Sequence, residues 1–282
     1  MVLAARPKVT VIIPAHNEEQ AFARVRGLGY FDALRKWHGA DRENRNVVFV
    51  NDGSKDKTAE LVRSEGFSVI NSGKAGKNLG KGGAVITGLK HAYDEHGADI
   101  AVLLDADILN LVPEKIDAMV KPLLAKPRKW RKPPNMVIGS YHEELDPLAE
   151  SGSMPAAKSS GQRAIRLSAI SAVFKSSRKE EAYREIMAGF GLELGLNELL
   201  GANRVVETRF KCAQAFRNSS EPAQKSDSQS AWSKLKDREY LARQFNEFRV
   251  MVHSLPEDQR AAARKKLMEE LRVRRARNKY LQ

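Results

Sequence analysis

Four short runs of β-branched and apolar residues, each leading into a polar loop, constrain this chain more than any other feature. Lys8–Pro14 (KVTVIIP), Asn46–Asn51 (NVVFVN), Phe67–Ile70 and Asp99–Leu104 (DIAVLL) lack the alternation of a half-exposed strand. Runs that are apolar on both faces suit a parallel sheet covered on both sides. Between them lie the amphipathic stretches Glu18–Trp37, Asp56–Ser64 and Gly82–Glu95. This βαβαβαβ order predicts a doubly wound α/β layer. Such sheets bind ligands at the carboxyl ends of their strands, so function is to be sought in the polar loop residues there.

Further along, Pro113–Ala125 reads as a helix opened by proline and Met136–Tyr141 as a strand. Gly161–Phe174, Arg178–Met187 and Leu192–Leu200 carry helical periodicity, and Val205–Phe210 reads as a strand. Arg217–Ser230 is low in complexity, and two long basic helices, broken at Leu255-Pro256, are expected after it. The expected organisation is one α/β domain over residues 1–215, a linker over 216–230 and a helical extension over 231–282.

Composition narrows the partners. A single cysteine, Cys212, excludes an internal disulfide and a multi-cysteine zinc cluster. No apolar run approaches the roughly 20 residues that span a bilayer, and Val2–Ala5 is too short for a signal peptide, so a cytoplasmic location is the expectation. The net charge of +13 favours an anionic partner: nucleic acid, a membrane surface or a phosphorylated substrate. From Lys234 onward, 14 Lys/Arg stand against 7 Asp/Glu. A solvated basic helix accounts for this excess as simply as a phosphate-binding one.

Four strand-end motifs carry the chemistry. The first, Pro14-Ala15-His16-Asn17-Glu18-Glu19, makes a rigid polar rim, or merely caps a helix. In Asn51-Asp52-Gly53-Ser54-Lys55-Asp56, Asp52 stands before the turn, where a ligand lies, whereas Asp56 suits a cap. Lys77-Asn78-Leu79-Gly80-Lys81-Gly82-Gly83-Ala84 is glycine-rich and basic and opens a helix, a composition that cradles phosphate. It has neither P-loop spacing nor the position of a dinucleotide fingerprint. Asp105-Ala106-Asp107 follows the most apolar strand, and two carboxylates there share one divalent cation more readily than they bear mutual repulsion.

In this order the four motifs resemble family 2 glycosyltransferases of the GT-A fold, over residues 8–141. The resemblance implies a Rossmann-like, mostly parallel sheet flanked by helices, a nucleotide-diphosphate-sugar donor and a Mg²⁺ or Mn²⁺ ion. It implies that Pro14, Ala15, His16 and Glu18 line the base and ribose pocket, and that Asp52 accepts a hydrogen bond from the base. Gly80 and Lys81 then lie over the base and diphosphate, Asp105 faces the ribose or sugar, and Asp107 binds the metal. Residues 142–215 resemble the acceptor half of glucosyl-3-phosphoglycerate synthases through Ser160-Gly161-Gln162-Arg163-Ala164 and Gly189-Phe190-Gly191-Leu192-Glu193. Arg163 and Glu193 are the catalytic candidates on that basis, with a first-turn helix acid as the plainer account of Glu193.

One departure stands out. Those synthases carry a metal-binding His followed by Arg, where this chain has Phe216-Arg217-Asn218. His142, His253, or donor phosphates and water are then left to complete a metal shell. The expected activity is metal-dependent transfer of a sugar to a hydroxyl or phosphate, with a small phosphorylated acceptor favoured. The alternatives are transfer to modified bases in DNA, and a non-catalytic nucleic-acid-binding protein on the same fold. The C-terminal helices, through Arg264-Lys265-Lys266 and Arg272–Arg277, are the candidate nucleic-acid surface, and their pairing would make a homodimer.

Overall fold

In the computed structural model, the residues described are 6–74, 77–125, 133–140, 161–175, 192, 196, 200 and 204–209. The linker, the basic extension, Glu193, His142 and His253 lie outside them, so the expectations placed on them are not addressed by the structure.

The first four apolar runs become strands β1 (Val9–Ala15), β2 (Arg45–Asn51), β3 (Ser68–Asn71) and β4 (Ile100–Leu103). They are joined by helices α1 (Glu19–Arg26), α2 (Tyr30–Gly39), α3 (Thr58–Ser64) and α4 (Gly80–Asp94). Then follow α5 (Pro113–Leu124), β5 (Met136–Ser140), β6 (Arg163–Arg166), α6 (Ser171–Phe174) and β7 (Val205–Arg209). The seven strands form one sheet in the order β3-β2-β1-β4-β6-β5-β7. All its pairings are parallel except those of β6, which runs antiparallel to both β4 and β5.

Two expectations need correction. The stretch Glu18–Trp37 is two helices, broken where Gly29 takes φ 79°. Gly161–Phe174 is not one helix: Arg163–Arg166 is a strand, followed by a 3-10 turn at Leu167–Ala169 and the short α6. β4 and β5 run the same way on either side of this segment, and the backbone groups on their facing edges need partners. The antiparallel ladder Leu103↔Arg163 through Ile100↔Arg166 satisfies them and overrides the local period.

The sheet is covered on both faces, as its unalternating strands require. Val11, Ile13, Phe49 and Val102 pack with Phe22, Tyr30, Phe31, Ile116 and Met119 of the α1, α2 and α5 side. Ile12, Val48, Val50 and Leu103 pack with Val85, Ile86 and Leu89 of α4, and with Phe174, Leu192, Leu196 and Leu200. Helix α4 lies so close to the sheet that a Cβ on Gly88 would stand 2.4 Å from Ile12 Cγ2. This packing brings the carboxyl ends of β1, β2, β3 and β4 to one edge, with the start of β6 beside them.

Candidate active site

On the rim, the loops after β1, β2 and β3 are stitched together around Asp52, which is 3% exposed. Asp52 N–H donates to the Ala15 carbonyl at 2.9 Å. Its Oδ1 accepts Ser72 Oγ at 2.5 Å and the Leu79 N–H at 2.8 Å. Gly53 lets the third loop approach, since a Cβ there would stand 2.9 Å from the Asn78 nitrogen. His16 Nδ1 lies 2.7 Å from the Asp52 carbonyl, and only an N–H fits that acceptor, so Nε2 accepts from the Asn17 and Asn78 amides, each at 3.1 Å. Asn17 takes φ 54°, and its Oδ1 accepts the Lys55 N–H.

Asp56 is the turn residue its position suggests: Oδ1 accepts the Thr58 N–H and Oδ2 the Glu19 N–H. Partial burial works against its charge, but the Thr58 hydroxyl, which also donates to Oδ1, together with these bonds outweighs burial and holds the carboxyl below its usual range. Pro14 and Ala15 end β1 within this rim. Glu18, placed by resemblance in the base pocket, is only 1% exposed, and its N–H donates to Thr58 Oγ1 at 2.8 Å. Its carboxylate stands beneath the rim surface rather than on it.

The second corner gathers charge. Lys81, in the first turn of α4, pairs with Asp105 at 2.8 Å. Asp105 Oδ2 accepts Gln162 Nε2 at 2.5 Å, its N–H donates to Gln162 Oε1 at 3.0 Å, and its carbonyl accepts Tyr30 Oη at 3.1 Å. Gly161 abuts the pair: a Cβ there would stand 2.9 Å from both Asp105 carboxylate oxygens and from Lys81 Nζ. Asp107 shares this field. Burial first, and the Asp105 carboxylate second, push its carboxyl up to about 7, with Lys81 acting in the opposite direction.

A carboxylate that resists ionisation beside another carboxylate is one that a divalent cation relieves. Asp107 therefore fits a metal ligand, and oxygen donors suit Mg²⁺ or Mn²⁺. No cluster of three or more His, Cys, Asp or Glu stands ready for a metal among the described residues. A cation here needs oxygens from a ligand or water besides Asp107.

The sequence-derived candidates thus divide. His16, Asp52, Gly80, Lys81, Asp105 and Asp107 share the sheet's carboxyl edge. Arg163 starts β6 at the same edge but is 1% exposed, with Nη1 3.4 Å from Met136 Sδ. Gln162, Tyr30, Ser72 and Asn78 were assigned no role by sequence. Asn78 lies in the glycine-rich motif and Ser72 precedes it, and their polarity in a loop was the available signal. Gln162 lies in the motif Ser160–Ala164, but its contact with Asp105 depends on β6 lying beside β4.

Residues 10–130 match the family model for glycosyl transferase family 2, the family that the strand-end motifs resemble. That part of the chain carries the family's sequence pattern. The UDP-N-acetylglucosamine–dolichyl-phosphate N-acetylglucosaminyltransferase of Methanococcus voltae is 34% identical over 146 residues, 47% of this chain and 51% of that protein. An undecaprenyl-phosphate 4-deoxy-4-formamido-L-arabinose transferase of Pseudomonas fluorescens (strain Pf0-1) is 30% identical over 119 residues, 40% of this chain and 31% of that protein. The chain spans about half, or less, of the length of these relatives.

Among solved structures, glucosyl-3-phosphoglycerate synthase of Mycobacterium tuberculosis, in complex with Mn²⁺, UDP and glucosyl-3-phosphoglycerate, superposes with a TM-score of 0.51. Identity is 21%, covering 76% of this chain and 74% of that one. This likeness is one of fold, and the fold is GT-A: a mostly parallel sheet flanked by helices.

Proposed function

We propose that this chain is a metal-dependent glycosyltransferase that moves a sugar from a nucleotide-diphosphate donor to an acceptor, with a small phosphorylated acceptor favoured. The observation that carries the reading is the meeting of Lys81, Asp105 and Asp107 at the same sheet edge as Asp52. Two relatives are named for polyprenyl-phosphate acceptors, and the synthase of like fold has been crystallised with UDP-glucose and phosphoglyceric acid or glycerol 3-phosphate. A phosphate on the acceptor is common to both kinds. No helix among the described residues is long and apolar enough to cross a membrane.

In this reading the rim of Pro14, Ala15 and His16, backed by the buried Glu18 and Asp52, meets the base and ribose. Gly80 and Lys81 lie against the diphosphate, and Asp107 holds Mg²⁺ or Mn²⁺ together with donor oxygens. When bound, the cation supplies charge that stabilises the departing nucleoside diphosphate. Lys81 adds a fixed ammonium aimed at the same developing charge. An acceptor phosphate attacks without a base, whereas a neutral hydroxyl needs one, for which Glu193 is the candidate. Arg163, the other catalytic candidate, starts β6 at this same edge with its side chain buried.

A screen of nucleotide sugars with Mn²⁺, read by mass spectrometry, tests the function. Phosphoglyceric acid, glycerol 3-phosphate and a polyprenyl phosphate are the acceptors to supply. Glycosylation of one of them supports the proposal. Absence of both donor hydrolysis and transfer across the common nucleotide sugars overturns it.

A further inference from the structure

We infer that Gln162 is a positioning residue of this site: its buried amide fixes Asp105 and, through Asp105, the Lys81 ammonium that faces the donor diphosphate. The inference rests on the nucleotide-sugar reading above for its ligand, and on the hydrogen bonds alone for its geometry.

Gln162 is fully buried, at 0% exposure, immediately before β6. Its own backbone is held from the far side, since its carbonyl accepts the Gly139 N–H at 2.9 Å. Both ends of its side chain reach Asp105. Nε2 donates to Asp105 Oδ2, and Oε1 accepts the Asp105 N–H. Asp105 offers one acceptor and one donor, and a neutral amide of this length offers their complements. A carboxylate at 162 would oppose Asp105, and a hydrocarbon would leave a buried N–H without its acceptor, so few side chains serve here.

The consequence reaches Lys81. With Oδ2 held by Gln162, Oδ1 is turned toward the ammonium, which it meets at 2.8 Å. The Lys81 side chain is 40% exposed, and a lysine so placed otherwise sweeps many rotamers. Anchoring it before the ligand arrives removes that ordering cost from binding. Gly161 leaves the space in which the two groups meet. The same arrangement separates the two acids: Asp105 serves the protein's own cation, and Asp107 is left for the metal.

The test is a double-mutant cycle on the full chain, reading UDP affinity with Mn²⁺ by calorimetry. Gln162→Leu removes both bonds at similar volume and is expected to weaken UDP about tenfold. In a Lys81→Met background the same substitution is expected to cost less than about twofold, because the residue it acts through is gone. Equal losses in both backgrounds would mean a merely structural role and overturn the inference. Should Gln162→Leu not fold, Gln162→Asn, one methylene too short, enters the same cycle with the same criteria.

A second readout needs no ligand: the rate at which Lys81 is acetylated by acetic anhydride, followed by peptide mass spectrometry. Gln162→Leu, or Gln162→Asn in its place, is expected to raise it several-fold while Lys36 and Lys115 react as before. An unchanged Lys81 rate overturns the inference. If the wild-type protein binds no nucleotide, the donor assignment fails by itself, and the labelling rate alone decides whether Gln162 controls Lys81.

Discussion

The Asp52 corner and the Asp105 corner both centre on an aspartate at the end of a parallel strand, yet they are built differently. Asp52 is 3% exposed and its Oδ1 is held by neutral donors, a hydroxyl and a backbone N–H, from the loop that follows β3. Asp105 is held by a cation from α4 and by the amide of Gln162, which precedes β6 and lies 57 residues away in sequence. The first corner ties loops together; the second gathers charge. The difference separates a carboxylate held by loop hydrogen bonds from a pair that, in the proposed function, meets a ligand's charge through a cation.

Substitutions at the two corners should therefore fail in different ways. The largest effect is expected from Asp107→Ala, which should weaken Mn²⁺-dependent UDP binding by about a hundredfold or more by calorimetry. Gly161→Ala comes next: its Cβ pushes into the Asp105–Lys81 pair, so UDP affinity should fall about tenfold while uridine, lacking a diphosphate, is little affected. At the other corner, Asp52→Ala leaves the Ser72 hydroxyl and the Leu79 N–H without their acceptor. Chemical denaturation should show a loss of about 2 kcal/mol, a stability cost that Asp107→Ala should not share.

The smallest effect is one of pH. In the metal-free protein the folded state holds the Asp107 carboxyl at about 7, above its ordinary value. An acid raised by folding favours the protonated native state. Its contribution is complete below the ordinary carboxyl range and is lost as pH rises toward 7. Asp107→Asn should thus raise the Tm by about 3 °C at pH 8 and by little at pH 4, as thermal scans would show. A gain of equal size at both pH values would contradict the assigned burial and charge.

The same contrast explains what the sequence reveals. The Asp52 corner is legible because its parts are local: each polar loop directly follows an apolar run, and the four runs became β1 to β4 with shifts of a residue or so. Asp105 and Asp107 are legible as a pair for the same reason. Gln162 is not, because the segment 161–174 has a helical apolar period. Its strand conformation comes from pairing between β4 and β5, which only the assembled sheet supplies. Glu18 shows the reverse limit: a polar residue in the right motif, which the local fold buries. The break between α1 and α2 holds Gly29 at positive φ, at the N-cap of α2, a feature that composition alone does not weigh against an otherwise continuous amphipathic stretch.

The central claim is that the acidic pair after β4 and the lysine of α4 form a cleft for a metal-bound diphosphate. Calorimetric titration of the full chain with UDP, with and without Mn²⁺, tests it most directly. Micromolar binding with the metal, lost without it and lost in Asp107→Ala, is the result predicted. Binding of equal strength with and without Mn²⁺, or binding that survives Asp107→Ala, would contradict it.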